Sequence, residues 1–180
     1  MFYNCCSLKT IDLRLFFDMN ILSINGMFQG CNSLTNLFGI TEWNVSKIKE
    51  FNNVFEGCSN LKNLDDLIKW NVSNAIQFQE TFKNCSLLEN LSGLKEWNVS
   101  NVEKFNNMFE GCSSFQNLDG LKEWNISKSE EFNSMFKGCS SIQNLDGLKE
   151  WNVSNIKRFY NVFEGCSSLQ NLDGLKKWDI

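Results

Sequence analysis

The sequence predicts an α/β repeat solenoid, a right-handed coil in which each 27-residue unit adds one short parallel strand and one helix. Tryptophan and cysteine each recur at a fixed interval of 27 residues, and a constant period of that length is typical of stacked repeats. A crossover between parallel strands is right-handed in nearly all proteins. The repeated residues are Trp43, Trp70, Trp97, Trp124, Trp151 and Trp178, and Cys31, Cys58, Cys85, Cys112, Cys139 and Cys166.

The repeats divide the 180 residues into one array without a linker. A degenerate first repeat covers residues 1–30, about five regular repeats cover 31–165, and a partial repeat covers 166–180. The first repeat is one residue short, with Phe17 in the tryptophan position and Cys5 in the cysteine position. Because both ends fall inside a repeat, we expect a piece of a longer array or a reading frame begun at an internal methionine.

One repeat shows the predicted elements. The alternation of Trp97 and Val99 predicts a short strand. Apolar residues then follow at helical spacing as far as Cys112, which predicts a helix of about three turns. Ser100 stands at the N-cap position, and Gly111 stands where a left-handed residue ends a helix.

Composition and charge exclude several classes of partner. The net charge is −4 with acidic and basic residues interspersed, so no basic patch predicts binding to nucleic acid or to an anionic membrane. No run of 18 apolar residues predicts a membrane span, and the N-terminus lacks the apolar core of a signal peptide. We therefore expect a protein that is neither a nucleic-acid binder nor an integral membrane protein.

No catalytic, metal or cofactor site is predicted. The chain has no histidine, and its repeated cysteines lack the Cys-x-x-Cys spacing of zinc sites. We interpret the cysteines as reduced, buried thiols rather than a disulfide framework, because neighbouring repeats would hold them too far apart. We interpret the tryptophans as core residues rather than a binding platform, since Trp97 shares its predicted strand face with Val99.

Asparagine forms two further columns. We interpret the first as structural, because short polar side chains suit turns and bond to nearby backbone groups. The second column lies in Asn-x-Ser triplets, but five glycans stacked at strand spacing would collide, so we treat the acceptor pattern as a coincidence of the repeat. The columns are Asn36, Asn63, Asn90, Asn117, Asn144 and Asn171, and Asn44, Asn71, Asn98, Asn125 and Asn152.

A family resemblance covers practically the whole chain. Leu94-x-x-Trp97-x-Val99 resembles the strand pattern of leucine-rich repeats, and the segments 108–115 and 135–142 resemble the MFxGCSSL core of BspA-like leucine-rich-repeat surface proteins of bacteria. The chain departs from that family by an inserted DGLKE-type turn and by tryptophan where phenylalanine is frequent. The resemblance implies a leucine-rich-repeat-like solenoid, displayed on a cell surface or secreted. Without a signal peptide in this chain, a cytoplasmic or truncated product stays open.

The candidate binding surface is the solvent side of the predicted concave strands. Curved arrays offer their extended surface there. It consists of Glu42, Asn44, Lys69, Asn71, Glu96, Asn98, Glu123, Asn125, Glu150 and Asn152. The helix exteriors, which vary more between repeats, are the alternative; they carry Lys47, Lys49, Glu50, Asn74, Gln77, Glu103, Lys104, Lys128, Glu131, Lys157 and Arg158.

Two functions are predicted from this reading. The favoured one is a non-enzymatic adhesion or interaction module that contacts a protein or another cell-surface macromolecule. The alternative is a structural spacer or cell-envelope array without a specific ligand. In either case the open ends of the array expose apolar core, which further repeats or end-to-end self-association would cover.

Overall fold

The computed structural model describes residues 1–16 and 21–179, and there the chain winds into one stacked coil per repeat. Regular structure in this part is limited to seven short 3-10 helices and a column of isolated parallel bridges. Each of the last five helices ends three residues before a buried tryptophan. The helices are Leu13–Phe16, Ile40–Glu42, Asp65–Leu67, Ser92–Leu94, Asp119–Leu121, Asp146–Leu148 and Asp173–Leu175. None of them is long and apolar enough to cross a membrane.

The predicted helix between Ser100 and Cys112 is wrong, because this segment forms consecutive tight turns. Asn107 and Gly111 have φ angles of 58° and 75°, which a right-handed helix does not contain. The predicted cap also fails, since the Ser100 hydroxyl donates to the side-chain oxygen of Asn98. The left-handed glycine at position 111 is confirmed, although there is no helix for it to end.

A three-residue spacing of core positions explains the error. In one coil, Met108 donates its backbone N–H to the carbonyl of Phe105, and Cys112 donates to that of Phe109. Each bond closes a four-residue β-turn. Such a turn places residues i and i+3 on the inner side, as a helix does. The sequence spacing therefore fits both structures, and the backbone partners decide between them.

The predicted strand at Trp97–Val99 is also wrong. The parallel bridges lie seven residues further along each repeat, in the column Glu50, Gln77, Lys104, Glu131 and Arg158. Beyond each bridge, alternate N–H groups point to the next coil: Phe105 donates to Glu131 O and Asn107 to Asn133 O, both at 2.9 Å. The backbone polar groups of the turns are satisfied between coils, so extended strands are not required.

Stacked aromatic rings fill the interior. Five phenylalanine pairs in successive coils, from Phe28 to Phe163, have ring centroids 5.5–5.7 Å apart and planes within 8° of parallel. The tryptophans stack at 6.3–6.5 Å from Trp70 to Trp178. Each indole N–H donates to a carbonyl of the preceding coil, as Trp97 does to Leu67 O at 3.0 Å. The interpretation of the tryptophans as core is confirmed, since Trp97 is 3% exposed.

In the first repeat, Phe17 lies outside the described residues. The neighbouring Phe16 meets Trp43 edge-on, with ring centroids 6.4 Å apart, so an aromatic ring does pack against the first tryptophan.

The six repeated cysteines are buried free thiols, as predicted. Each S–H donates to a phenylalanine carbonyl of the preceding coil, for example Cys112 to Phe82 O at 3.0 Å. Burial raises the pKa of the Cys112 thiol far above its usual range, and it raises the pKa of Cys166 to about 11. Cys5 and Cys6, in contrast, are exposed.

Glycine recurs in two columns for different reasons. A Cβ at Gly120 would lie 2.1 Å from the backbone oxygen of Leu91, so the close approach of two coils requires glycine there. Gly138 has a φ of 72°, and its Cβ would lie 3.6 Å from the nearest atoms. Asn84, two repeats before Gly138, occupies the same column and has a φ of 60°.

Candidate functional site: a polar groove across the coils

All ten residues of the predicted binding surface are exposed, but they do not lie on strands. The structure brings four of them together, since Glu123, Asn125, Glu150 and Asn152 line one shallow groove of about 240 Å³. Lys177 binds Glu150 at 2.6 Å and, by this hydrogen bond, lowers the pKa of the carboxyl group. The concave strand face on which the prediction depended is therefore absent from the described residues, although the side chains themselves are accessible.

The asparagines of that surface form local turns. Asn98 Oδ1 accepts hydrogen bonds from the backbone N–H of Ser100 at 3.2 Å and from its hydroxyl at 2.8 Å. The other asparagine column does the same, as Asn117 accepts from the N–H of Asp119. Both columns therefore serve as turn residues, which was expected for the Asn117 column only, and the acceptor oxygen of each is already occupied.

A larger groove, of about 530 Å³, lies elsewhere on the repeats, and we call it the amide groove. Its lining comes from equivalent positions of successive coils, so it runs across the coils rather than along one of them. Its walls are polar except for one ring. The lining residues are Asn53, Gln79, Glu80, Asn106, Asn107, Glu131, Asn133, Ser134, Arg158 and Tyr160.

A third amide column forms the floor of the amide groove. The side-chain oxygen of Asn52 accepts the N–H of Gln79 at 3.0 Å, and that of Asn106 accepts the N–H of Asn133 at 3.1 Å. These bonds link each coil to the next. The column ends at Tyr160, whose N–H donates to Asn133 at 3.4 Å and whose side chain cannot continue the pattern.

Sequence reasoning missed this column. Its signal was an asparagine or glutamine directly after the recurring phenylalanine, at Asn52, Gln79, Asn106 and Asn133. The prediction treated that segment as the exterior of a helix, where such residues carry no structural information. Five residues of the alternative surface in fact lie beside it, two positions earlier in each coil: Glu50, Gln77, Lys104, Glu131 and Arg158.

Charged side chains form one wall. Glu131 accepts from Asn106 Nδ2 at 2.7 Å and from Arg158 at 3.2 Å. Glu131 is mostly buried, with 16% of its side chain exposed, whereas 62% of the Arg158 side chain is exposed. The carboxylate is thus fixed from both sides, and the guanidinium keeps most of its N–H donors towards solvent.

The opposite wall is a column of left-handed residues. Asn53, Glu80, Asn107 and Ser134 have φ angles of 55–59°, a conformation that is unfavourable for glutamate and serine. Contacts between coils hold it, since Asn53 Nδ2 donates to Glu80 at 2.7 Å.

A lysine lies just outside this wall. Lys83 lies 3.2 Å from Glu110 and 3.5 Å from Glu80. Partial burial disfavours its charge, but the bond to Glu110 and the neighbouring carboxylates outweigh burial and raise the pKa of Lys83. The charged side chains at this rim of the groove are therefore paired. Among the described residues, no group of three or more Cys, Asp or Glu side chains is arranged to hold a metal ion.

Comparisons with known proteins identify the family. The family model described as "Mycoplasma protein of unknown function, DUF285" matches residues 1–117 and 88–180. A search of curated proteins found no match.

Two solved structures show a distant likeness. A leucine-rich cell surface protein from Faecalibacterium prausnitzii A2-165 is 15% identical, with a TM-score of 0.41 over 71% of this chain and 36% of its own. A leucine-rich-repeat protein from Bacteroides ovatus ATCC 8483 is 15% identical, with a TM-score of 0.25 over 82% of this chain and 51% of its own. The chain thus spans between one third and about half of their lengths. Because the family model covers the chain from end to end, the protein belongs to the DUF285 family.

Proposed function

We propose that the chain is a non-enzymatic repeat module that acts at a cell surface or after secretion and binds a macromolecular partner through the amide groove. The observation that carries the proposal is the groove itself, which crosses at least four coils and presents fixed polar groups along its length. Extended surfaces of this kind are what solenoid proteins use for binding. The resemblance to BspA-like surface proteins in the MFxGCSSL segments supports the location.

The chemistry of the groove favours binding over catalysis. Glu131 and Glu80 are hydrogen-bonded to amide side chains, which suits carboxylates that position a ligand. The thiols of the core are equally unsuited to catalysis. Burial raises the pKa of Cys85 and Cys139 and so keeps them protonated, and a protonated thiol is a weak nucleophile.

The test is the binding of fluorescently labelled protein to cultured epithelial cells. We expect saturable binding that is lost when Tyr160→Ala and Arg158→Ala are combined, because both side chains project from the groove into solvent. The matched control reverses charges on the predicted surface, with Glu96→Lys, Glu123→Lys and Glu150→Lys, and should bind normally. Loss of binding only in the control variant would show that the partner contacts the surface predicted from the sequence, which contains Glu96, Glu123 and Glu150, and not the amide groove.

A structural spacer is the second candidate, and one observation favours it. Most amide side chains in the groove already bond to the neighbouring coil, as Asn106 does to Gln79 and Glu131, so they contribute to stability whether or not a ligand binds. Absence of saturable cell binding by the unmodified protein would favour the spacer over the binding module.

A further inference from the structure

We infer that the amide groove binds a neutral, linear polysaccharide laid across the coils, an inference that rests on the proposed binding function and specifies its partner. The groove combines three features that suit such a ligand: hydrogen-bond donors and acceptors in fixed positions, nearly balanced charge, and one exposed aromatic ring at its end. Each feature also counts against another class of partner.

The polar groups available to a ligand include donors and acceptors. No hydrogen bond joins the hydroxyl groups of Ser134 and Tyr160 to another described residue, and both line the groove. Arg158 donates to Glu131 through one nitrogen only. Sugar hydroxyls donate and accept at the same time, so they match a groove that presents carboxylate, guanidinium and hydroxyl groups.

The charge of the lining argues against polyanions. The lining contains two carboxylates, Glu80 and Glu131, and one guanidinium, Arg158, which is already paired with Glu131. Binding of nucleic acid or a sulfated polymer requires several unpaired lysine or arginine side chains. The groove lacks such an excess, so a neutral polymer is favoured.

The backbone argues against an added peptide strand. Peptides that bind by strand addition need a sheet edge with free N–H and C=O groups and pockets for alternate side chains. The N–H groups of the groove residue Asn107 and of the nearby Phe105 already donate to the next coil at 2.9 Å. The lining also has no apolar side chain apart from the ring of Tyr160.

Tyr160 provides the surface on which a sugar ring would stack. It is 60% exposed, and it occupies the amide column where the preceding coils have asparagine or glutamine. An aromatic ring offers a flat apolar face and a polar tip, which matches a sugar with one C–H face and peripheral hydroxyls.

The lining spans five coils, from Asn53 to Tyr160, and four steps of about 4.8 Å between them give roughly 19 Å. We expect affinity to rise with chain length up to about four or five sugar units, at one unit per coil, and then to level off.

The experiment is native gel electrophoresis of the 180-residue protein in gels that contain a soluble neutral glucan, mannan or galactan, with heparin and a gel without polymer as references. We expect retardation by at least one neutral polymer and about tenfold weaker retardation of Tyr160→Ala. The matched control is Tyr3→Ala, because Tyr3 is also 60% exposed but lies outside the groove. Equal melting temperatures of the variants would show that folding is unchanged.

Several results would overturn the inference: no neutral polymer retards the protein, heparin alone does, or Tyr160→Ala and Tyr3→Ala behave alike. Labelled protein that still binds epithelial cells after enzymatic removal of their surface glycans would contradict the polysaccharide while leaving a binding function. Failure to bind intact cells would count against the binding module itself.

Discussion

Replacing Trp97 by alanine tests the central claim that the aromatic stacks hold the coils together. Trp97 stacks on Trp70 at 6.3 Å and on Trp124 at 6.5 Å, and it contacts Phe78 at 5.2 Å. Removing a buried aromatic side chain costs about 3 to 5 kcal/mol. For a protein of this size, that loss corresponds to a decrease of roughly 6 to 20 °C in melting temperature.

Two further variants separate the contributions. Trp97→Phe keeps a ring but leaves the Leu67 carbonyl without its indole donor, which should cost about 1 to 3 kcal/mol. Trp178→Ala should cost less than Trp97→Ala, because Trp178 stacks on a tryptophan on one side only, Trp151. Melting followed by circular dichroism measures all three. If Trp97→Ala melts like the unmodified protein, the tryptophans are not the core that the structure describes.

Three other outcomes are expected. Gly120→Ala should destabilise the fold, because its Cβ would overlap the backbone oxygen of Leu91. Gly138→Asn should be tolerated, since the chain already has asparagine in that column. Equal melting temperatures of the two variants would contradict these different roles of the two glycine columns. Thiol titration should detect only Cys5 and Cys6 in the native protein and eight thiols after denaturation; fewer than eight would indicate disulfides. Burial raises the pKa of the repeated thiols, so the free energy of unfolding should be highest below the ordinary thiol pKa of about 8.5 and decrease as the pH rises above it. Urea unfolding at several pH values would detect the decrease.

The inward-facing residues were largely predictable, and their backbone conformation was not. Trp97, Phe105, Phe109 and Cys112 were assigned to the interior from their spacing, and all four are buried. The same spacing was interpreted as a helix, because a helix with about 3.6 residues per turn and consecutive β-turns both place these side chains on the inner side of the coil. The positive φ of Asn107 could not be predicted from the residue type, because asparagine is also frequent in turns without a left-handed residue.

The amide groove was not predictable for a related reason. Asn106 and Glu131 are 25 residues apart in sequence and hydrogen-bonded only because the coils stack in register. The ten predicted surface residues remain a testable alternative, since all are exposed.

By itself, the sequence determined the 27-residue period, the burial of tryptophan and the repeated cysteines, and the left-handed glycines, because each depends on the polarity, size or flexibility of one side chain at one repeated position. Only the tertiary structure decided that turns replace the predicted helix and strand, and where a groove opens. The physical reason is that the backbone groups of one coil find their partners about 26 residues away, in the next coil, and no local propensity contains that information.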